Sequence, residues 1–523
     1  MPAKIESYPS KYHSPDRVLY ICIALLSALV CFVHLSSFSL SIDEEIASFA
    51  AGNSVAWISQ GRWGMALIQM LLPYSSAIPF ISTLVFILTA SAASQIFASN
   101  FTRNRGEAFI FAGFFVTSPI WLHVVEFNTL AAGAGIGLLA TALAVTLIRS
   151  ERVILAICAG LCVGFAIGVY QALVIVYALC CIAILFQGSH FWSSGTPTPP
   201  TASKRLFGLV VISFLVAFGF YFVTQRIFLL LTHQHSQYID SWIQIDALRT
   251  DFRPTVLRIL NQVTALLFGT DPTYLGWGRP LLILPAAGFL YGTYLCIRHG
   301  VSDPFRTVVS LFALALMVTA CSVLVVMAAG RMPTRALIGF PMLFAFLALN
   351  GYRLGNGMIR WAQWAAFGYA MLIAAWIGAS LFYADTVARE RDQLLATRLA
   401  SMIDAVGLPA FGSQIPFVLV GEHTFSEKGT ASHVQIFGTS FFEQDGGNPY
   451  RVAAYMKLLG INGLQPLPVT AVSGKLSEIK QMPSWPAAGS VAVVGHVVVV
   501  KLGGISYQQQ LSLNSIQPLG PSS

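Results

Sequence analysis

The chain has 523 residues, of which 56% are hydrophobic and only 10% charged, with a mean hydropathy of +0.70. A soluble domain carries about 25% charge, so the composition excludes an ordinary soluble protein and points to a polytopic membrane protein. The net charge of +8 does not indicate a nucleic-acid partner, because most Lys and Arg lie in short loops between apolar spans, where they set topology.

Segments of about 20 apolar residues match a bilayer core of ~30 Å. Such segments are predicted at about 18–40, 76–98, 107–123, 129–148, 153–170, 171–187, 206–231, 280–297, 307–329, 336–352 and 361–383. They give an α-helical fold with about 11 transmembrane helices. Lys4, Lys11 and Arg17 precede a first span of full crossing length, unlike a short cleavable leader. Basic residues recur in alternate loops: Arg103 and Arg105, Arg149 and Arg152, Lys204 and Arg205, Arg298 and Arg306, Arg353 and Arg360. By the positive-inside rule these loops and the N-terminus are expected to be cytoplasmic. An odd number of crossings then leaves the C-terminal segment outside. The eight cysteines all fall inside apolar spans, so neither a disulfide framework nor a zinc site is expected.

Directly after the first span comes Ser41-Ile-Asp-Glu-Glu-Ile46, followed by Gln60-Gly-Arg-Trp-Gly64. Ser41-x-x-Glu44 fits a helix capping box. Capping does not account for Asp43 together with Arg62 in one short outer loop, and charges beside lipid are costly to keep without a function. Trp57 and Trp63 suit either interface anchoring or a site for an amphipathic, anionic substrate. Further along, Tyr170-Gln171 is a polar pair at an outer membrane edge, compatible with a cap, an interhelical hydrogen bond or a substrate contact. The loop at about 232–279 is long and charged, as functional loops often are. Arg331 and Arg335 lie on the outer side against the positive-inside trend. Gly330-Arg-Met-Pro-Thr-Arg335 is a polar break of the kind that can line a cavity, and binding an anion is one reason for such a placement; helix-end snorkelling is the other. His233-Gln-His235 lacks a third ligand nearby, so no metal site is expected.

After about Tyr383 the composition becomes that of a soluble domain of ~140 residues. A helix is predicted over 385–406 and another from Pro449 to Leu459. Buried strands are predicted at 417–421 and 434–437, and a terminal hairpin over 490–502, split at Gly495-His496. The domain boundaries expected are 1–383 for the membrane-embedded catalytic part and 384–523 for a soluble α/β part. Neither GxGxxG nor GxxxxGK[ST] is present, which argues against a nucleotide site.

These pieces allow group transfer at a membrane surface from a lipid-borne donor. A carboxylate would take the proton of an attacking hydroxyl, a role for Asp43. Cations would hold the leaving phosphate, a role for Arg62, Arg331 and Arg335, with Trp63 beside the lipid. Gln60, Trp57, Tyr170 and Gln171 make up the expected substrate-contacting set.

Ile42-Asp-Glu-Glu45, Trp57-Ile-Ser-Gln-Gly-Arg-Trp-Gly64, Gly168-Val-Tyr-Gln-Ala172, Met482-Pro-Ser-Trp-Pro486 and Val497-Val-Val-Val-Lys-Leu502 together resemble the type-specific O-antigen glucosyltransferases, the Gtr serotype-conversion family of the GT-C superfamily. The resemblance implies a GT-C-like bacterial inner-membrane enzyme with its C-terminal domain in the periplasm. It implies transfer of a glucosyl unit from undecaprenyl phosphate to lipid-linked O-antigen, inverting and without metal or other cofactor. By motif position the base is Asp43, with Glu44 as neighbour or substitute. Functional partners implied are a flippase for the lipid-linked sugar and a synthase that makes it. The competing readings are a transporter or flippase for lipid-linked glycans, disfavoured by nearly charge-free mid-span regions, and an O-antigen polymerase or ligase.

Overall fold

The computed structural model describes residues 16–49, 54–71, 80–186, 200–235, 243–300, 304–355, 357–406, 414–425 and 434–514. It is mostly helical, with a small sheet near the C-terminus. Among the described residues, helices lie in every apolar segment named above, with 76–79 and 187 falling outside them, but several are shorter than the hydropathy pattern suggests. The first is interrupted at Cys31, giving Arg17–Val30 and Phe32–Ser36. The third is broken where Pro119 cannot continue the preceding helix, giving Arg105–Val116 and Pro119–Val125, bent by 51°.

Among the described residues, five helices are long and apolar enough to cross a bilayer: Ile81–Phe101, Asn128–Ile148, Lys204–Thr232, Thr307–Met327 and Met358–Ala405. The bent pair makes a sixth if it acts as one span. Val153–Val169 and Leu173–Leu185 are apolar but shorter, at 17 and 13 residues. The chain is a membrane protein.

The chain divides into two compact units. The first comprises Met1–Leu35, Gly52–Tyr74 and Phe80–Gly378; the second comprises Ser36–Ala51, Ser75–Pro79 and Ala379–Ser523. The helix expected to begin near Asp385 has no start there. It is the continuation of Met358–Ala405, a single helix of 48 residues, so the change in composition near 383 marks a change of surroundings and not of backbone. The acidic segment that follows the first apolar span groups with the C-terminal unit, because Ile42 is buried in the same core as Leu395, Leu399, Phe441, Tyr455 and Met456.

In the first unit, close helix approach positions the polar loops. A Cβ at Gly164 would lie 2.7 Å from the Ala217 carbonyl oxygen, so the Val153–Val169 and Pro200–Thr232 helices meet where only glycine fits. In the second unit the strands β1 (Ile415–Val420), β2 (Leu464–Leu467), β3 (Val491–Val494) and β4 (Val497–Lys501) lie in the order β2-β1-β4-β3. β1 is parallel to both neighbours and β3 is antiparallel to β4. Phe417, Leu419, Val498 and Val500 face one core, while Val418, Val420 and Val499 face another. Burial on both faces explains why these strands read as unbroken apolar runs.

The segment 434–437 is not a strand. Val434 and Phe437 bridge each other across a turn in which Gln435 has φ +58°; both are buried, which is why the segment looks strand-like in sequence. β2 and the Tyr507–Asn514 helix carry no signal that singled them out.

A buried ion pair ties two helices of the first unit, Arg105–Val116 and Gly339–Arg353. Arg353 Nη2 lies 2.7 Å from Glu107 Oε2, with both side chains largely buried. Glu107 also accepts the Arg103 amide at 3.0 Å. Removing one partner of a buried pair strands the other charge, so Arg353→Ala should destabilise the protein by about 3 kcal/mol. Thermal unfolding of the detergent-solubilised chain measures this; an unchanged midpoint would show the pair to be dispensable.

Candidate active site

The acidic segment is built by a tight turn. Ser41 donates its amide to Glu44 Oε2 at 3.1 Å, one half of the capping box. The reciprocal half does not form: Asp43 occupies the N-cap position of the Glu44–Ala47 helix, and the Ser41 hydroxyl has no hydrogen-bond partner among the described residues. Glu44 is fully buried, with its carboxylate turned back on the segment's own backbone. Asp43 adopts φ +81°, a left-handed conformation that Asp and Asn tolerate better than other side chains. The turn projects its carboxylate outward, where it is 54% exposed.

The second unit surrounds one cation with three carboxylates. Arg451 lies in the first turn of the Pro449–Leu458 helix, which is capped by Asn448 accepting from the amides of Tyr450 and Arg451. Its Nη2 donates to Asp43 Oδ1 at 3.0 Å and to Asp445 Oδ2 at 2.9 Å, and its Nε donates to the same Asp445 oxygen at 3.2 Å. Its Nη1 pairs with Glu45 Oε1. Lys457, on the same helix, lies 4.2 Å from the ring centroid of Phe49.

The electrostatics follow from burial. Burial disfavours the charged form of Arg451, but Glu45, Asp43 and Asp445 outweigh it and push the guanidinium pKa above its ordinary value. Burial is also the main influence on Glu45. It raises that carboxyl to about 7, with Asp43 adding to the rise and Arg451 opposing it. Three carboxylates around one guanidinium leave excess negative charge, and the most deeply buried acid is the one that takes up a proton.

The first unit gathers most of the remaining residues expected at the site. The Ser54–Ser59 helix ends at Gly61, whose φ of +76° turns the chain and lets the Arg62 amide reach the Trp57 carbonyl at 2.8 Å. The Arg62 guanidinium donates to Gln60 Oε1 at 3.1 Å and to Gln171 Oε1 at 3.4 Å. It lies 5.5 Å from the Trp57 ring centroid and 5.3 Å from that of Tyr170, within cation–π range. Gln171 donates to the Gln60 carbonyl at 3.0 Å, and the Tyr170 hydroxyl to the Arg335 carbonyl at 2.8 Å. The two motif blocks also interlock through glycine: a Cβ at Gly168 would lie 2.4 Å from the Trp63 indole.

Trp63 belongs to the packing. It is 2% exposed and lies against Phe165, Phe220 and Phe228. Arg335 is half-buried, its guanidinium 4.6 Å from the Phe127 ring centroid. Arg331 is exposed; its amide donates to the Ala328 carbonyl at 3.0 Å, and its side chain makes no hydrogen bond or ion pair among the described residues. His233 and His235 are exposed, and among the described residues no three His, Cys, Asp or Glu side chains gather as a metal site.

Residues 32–350 match the model of the family described as glucosyl transferase GtrII. The chain belongs to this glucosyltransferase family. A comparison with curated proteins gave no match. Family membership implies a glucosyltransferase acting in O-antigen modification. The matched stretch contains Asp43, the Gln60–Gly64 block, Tyr170-Gln171, Arg331 and Arg335. It stops short of Asp445 and Arg451. Sequence reading found the helix that carries Arg451 but not the arginine's role, since its partner Asp43 lies 408 positions away.

Glu45 makes the stability of this glucosyltransferase depend on pH. Its carboxyl rises from 4.5 to about 7 on folding. As pH climbs between those values the unfolded chain releases the proton while the folded chain keeps it. The stabilising contribution is therefore complete below the lower value and lost as pH rises through the upper one. Glu45→Gln cannot titrate, so the wild-type thermal midpoint should fall relative to the variant's between pH 5 and 8. Parallel curves for the two proteins would remove Glu45 from this role.

Proposed function

We propose that this glucosyltransferase moves a glucosyl unit from undecaprenyl-phosphate glucose to a hydroxyl of lipid-linked O-antigen on the periplasmic side of the bacterial inner membrane. The N-terminus is cytoplasmic in this reading, and the alternation of basic loops supports it. The shorter apolar helices complete about eleven crossings in a GT-C-like arrangement, and the C-terminal unit lies in the periplasm. A flippase and a synthase for the lipid-linked sugar supply the donor.

The observation that carries the proposal is the Asp43 carboxylate, in the family-matched stretch, half exposed and, among the described residues, held by one oxygen only. Its other oxygen accepts the proton of the acceptor hydroxyl as that oxygen bonds to the sugar's anomeric carbon. The bond from that carbon to the phosphate oxygen breaks, its electron pair leaves with the polyprenyl phosphate, and the anomeric configuration inverts. Arg62 binds the departing phosphate, oriented by Gln60 and Gln171 and backed by Trp57 and Tyr170. Arg335 and Arg331 add positive potential. Glu44 supports the turn that presents Asp43.

Asp43→Asn preserves tolerance of the left-handed turn and removes the base, so transfer should drop at least 10³-fold, of the order general base catalysis supplies, while the protein still inserts. Transfer assayed with purified full-length protein and polyprenyl-phosphate glucose tests this; near-normal turnover would refute the base assignment. Arg62→Ala should raise the donor KM at least tenfold, whereas Asp43→Asn leaves donor affinity within about threefold. Unchanged donor affinity in Arg62→Ala would take that residue out of the donor site.

A further inference from the structure

Nothing in the acidic segment itself fixes the direction of the Asp43 side chain. Asp43 sits on a left-handed turn and makes no capping hydrogen bond to the backbone that follows, yet a reacting group must be held to within about 0.5 Å. We infer that Arg451, from the C-terminal part of the chain, is the positioning residue for this base: it holds one oxygen of the Asp43 carboxylate and leaves the other free for the acceptor's proton. The inference rests on the reading of Asp43 as the base.

Three observations carry it. The first is that Arg451 is itself immobilised. Asp445 accepts from its Nε and Nη2, Glu45 pairs with its Nη1, and its side chain is only 6% exposed. The guanidinium is therefore a fixed reference from which Nη2 reaches Asp43. The second is the division of exposure. Glu45 is fully buried and Asp43 is half exposed, so the cation is anchored from inside and presents its remaining donor to the accessible acid. The third is charge. One carboxylate neutralises one guanidinium, and Asp445 supplies that charge even where buried Glu45 keeps its proton. The contact with half-exposed Asp43 is not needed for neutrality, and an ion pair of that exposure adds little stability. Its effect is orientation. Lysine cannot substitute, because a single ammonium does not reproduce the planar fork that engages three acids at fixed angles. The C-terminal unit is thus a working part of the transferase, although residue 451 lies beyond the stretch the family shares.

The test uses the full-length chain in detergent, with polyprenyl-phosphate glucose as donor and lipid-linked O-antigen repeat as acceptor. Arg451→Lys should lower kcat at least 100-fold with the donor KM within threefold of wild type, while Lys475→Ala, which removes one member of an exposed charge pair with Glu478 in the same unit, keeps kcat within threefold. A kcat within threefold of wild type in Arg451→Lys overturns the inference, as does a loss of kcat matched by an equal rise in donor KM. If the lysine variant does not fold, Arg451→Ala assayed with and without added guanidinium decides. A tenfold or greater recovery of kcat supports positioning, and no recovery overturns it. Asp43→Asn in the same assay separates the two levels. Near-normal turnover there removes the base reading itself, whereas loss there beside a normal Arg451→Lys removes only the role of Arg451.

Discussion

A guanidinium taken out of water has to be paired, or it costs several kcal/mol. Arg451 meets that requirement with carboxylates from two distant stretches of chain: Asp43 and Glu45 just after the first apolar span, and Asp445 one turn before its own helix. The pairing explains why the 36–51 segment belongs to the C-terminal unit, and Ile42 reinforces it by entering the same apolar core. It also explains the left-handed backbone at Asp43. The turn lets neighbouring acids face one cation from different sides, one buried and one exposed. Strain of this kind persists where the surroundings over-determine it.

The first unit answers a different constraint. Arg62 is 9% exposed, and its surroundings are carboxamides and aromatic faces as well as whatever charge it meets. Amide oxygens from Gln60 and Gln171 fix the plane of the guanidinium, and the rings of Trp57 and Tyr170 shield it. The geometry depends on helices that approach closely at Gly164 and Gly168. The Gln-Gly-Arg-Trp and Gly-Val-Tyr-Gln blocks read as separate motifs in the sequence; in space they are one packing unit that presents a polar edge.

Much of this was legible beforehand, and the failures have identifiable causes. Hydropathy located every apolar helix but overestimated the length of those broken at Cys31 and before Pro119, since a window average does not register a local change of backbone direction. The capping reading of Glu44 was correct in its Glu half and incomplete in its Ser half, because Asp43 took the N-cap position. Trp63 looked like an interface residue by composition, yet three phenylalanines from other helices enclose it. The apparent strand at 434–437 is a buried turn, since burial and strand periodicity coincide in so short a run. The helix expected from Asp385 is the tail of a longer one, because helical hydrogen bonding continues regardless of the change from apolar to charged side chains.

The sequence by itself determined that the chain is a helical membrane protein and which residues are apolar enough to lie in or near lipid, and five short motif blocks gave it its resemblance to the O-antigen glucosyltransferases. Those properties are local: they depend on composition over a window of some twenty residues or on a few side chains at fixed spacing. Only the tertiary structure decided which acid meets Arg451, which tryptophan faces the core and which faces a cation, and that the acidic turn packs with the C-terminal strands. Contacts spanning hundreds of positions depend on how whole helices and strands settle against each other, and no local pattern of residues encodes them.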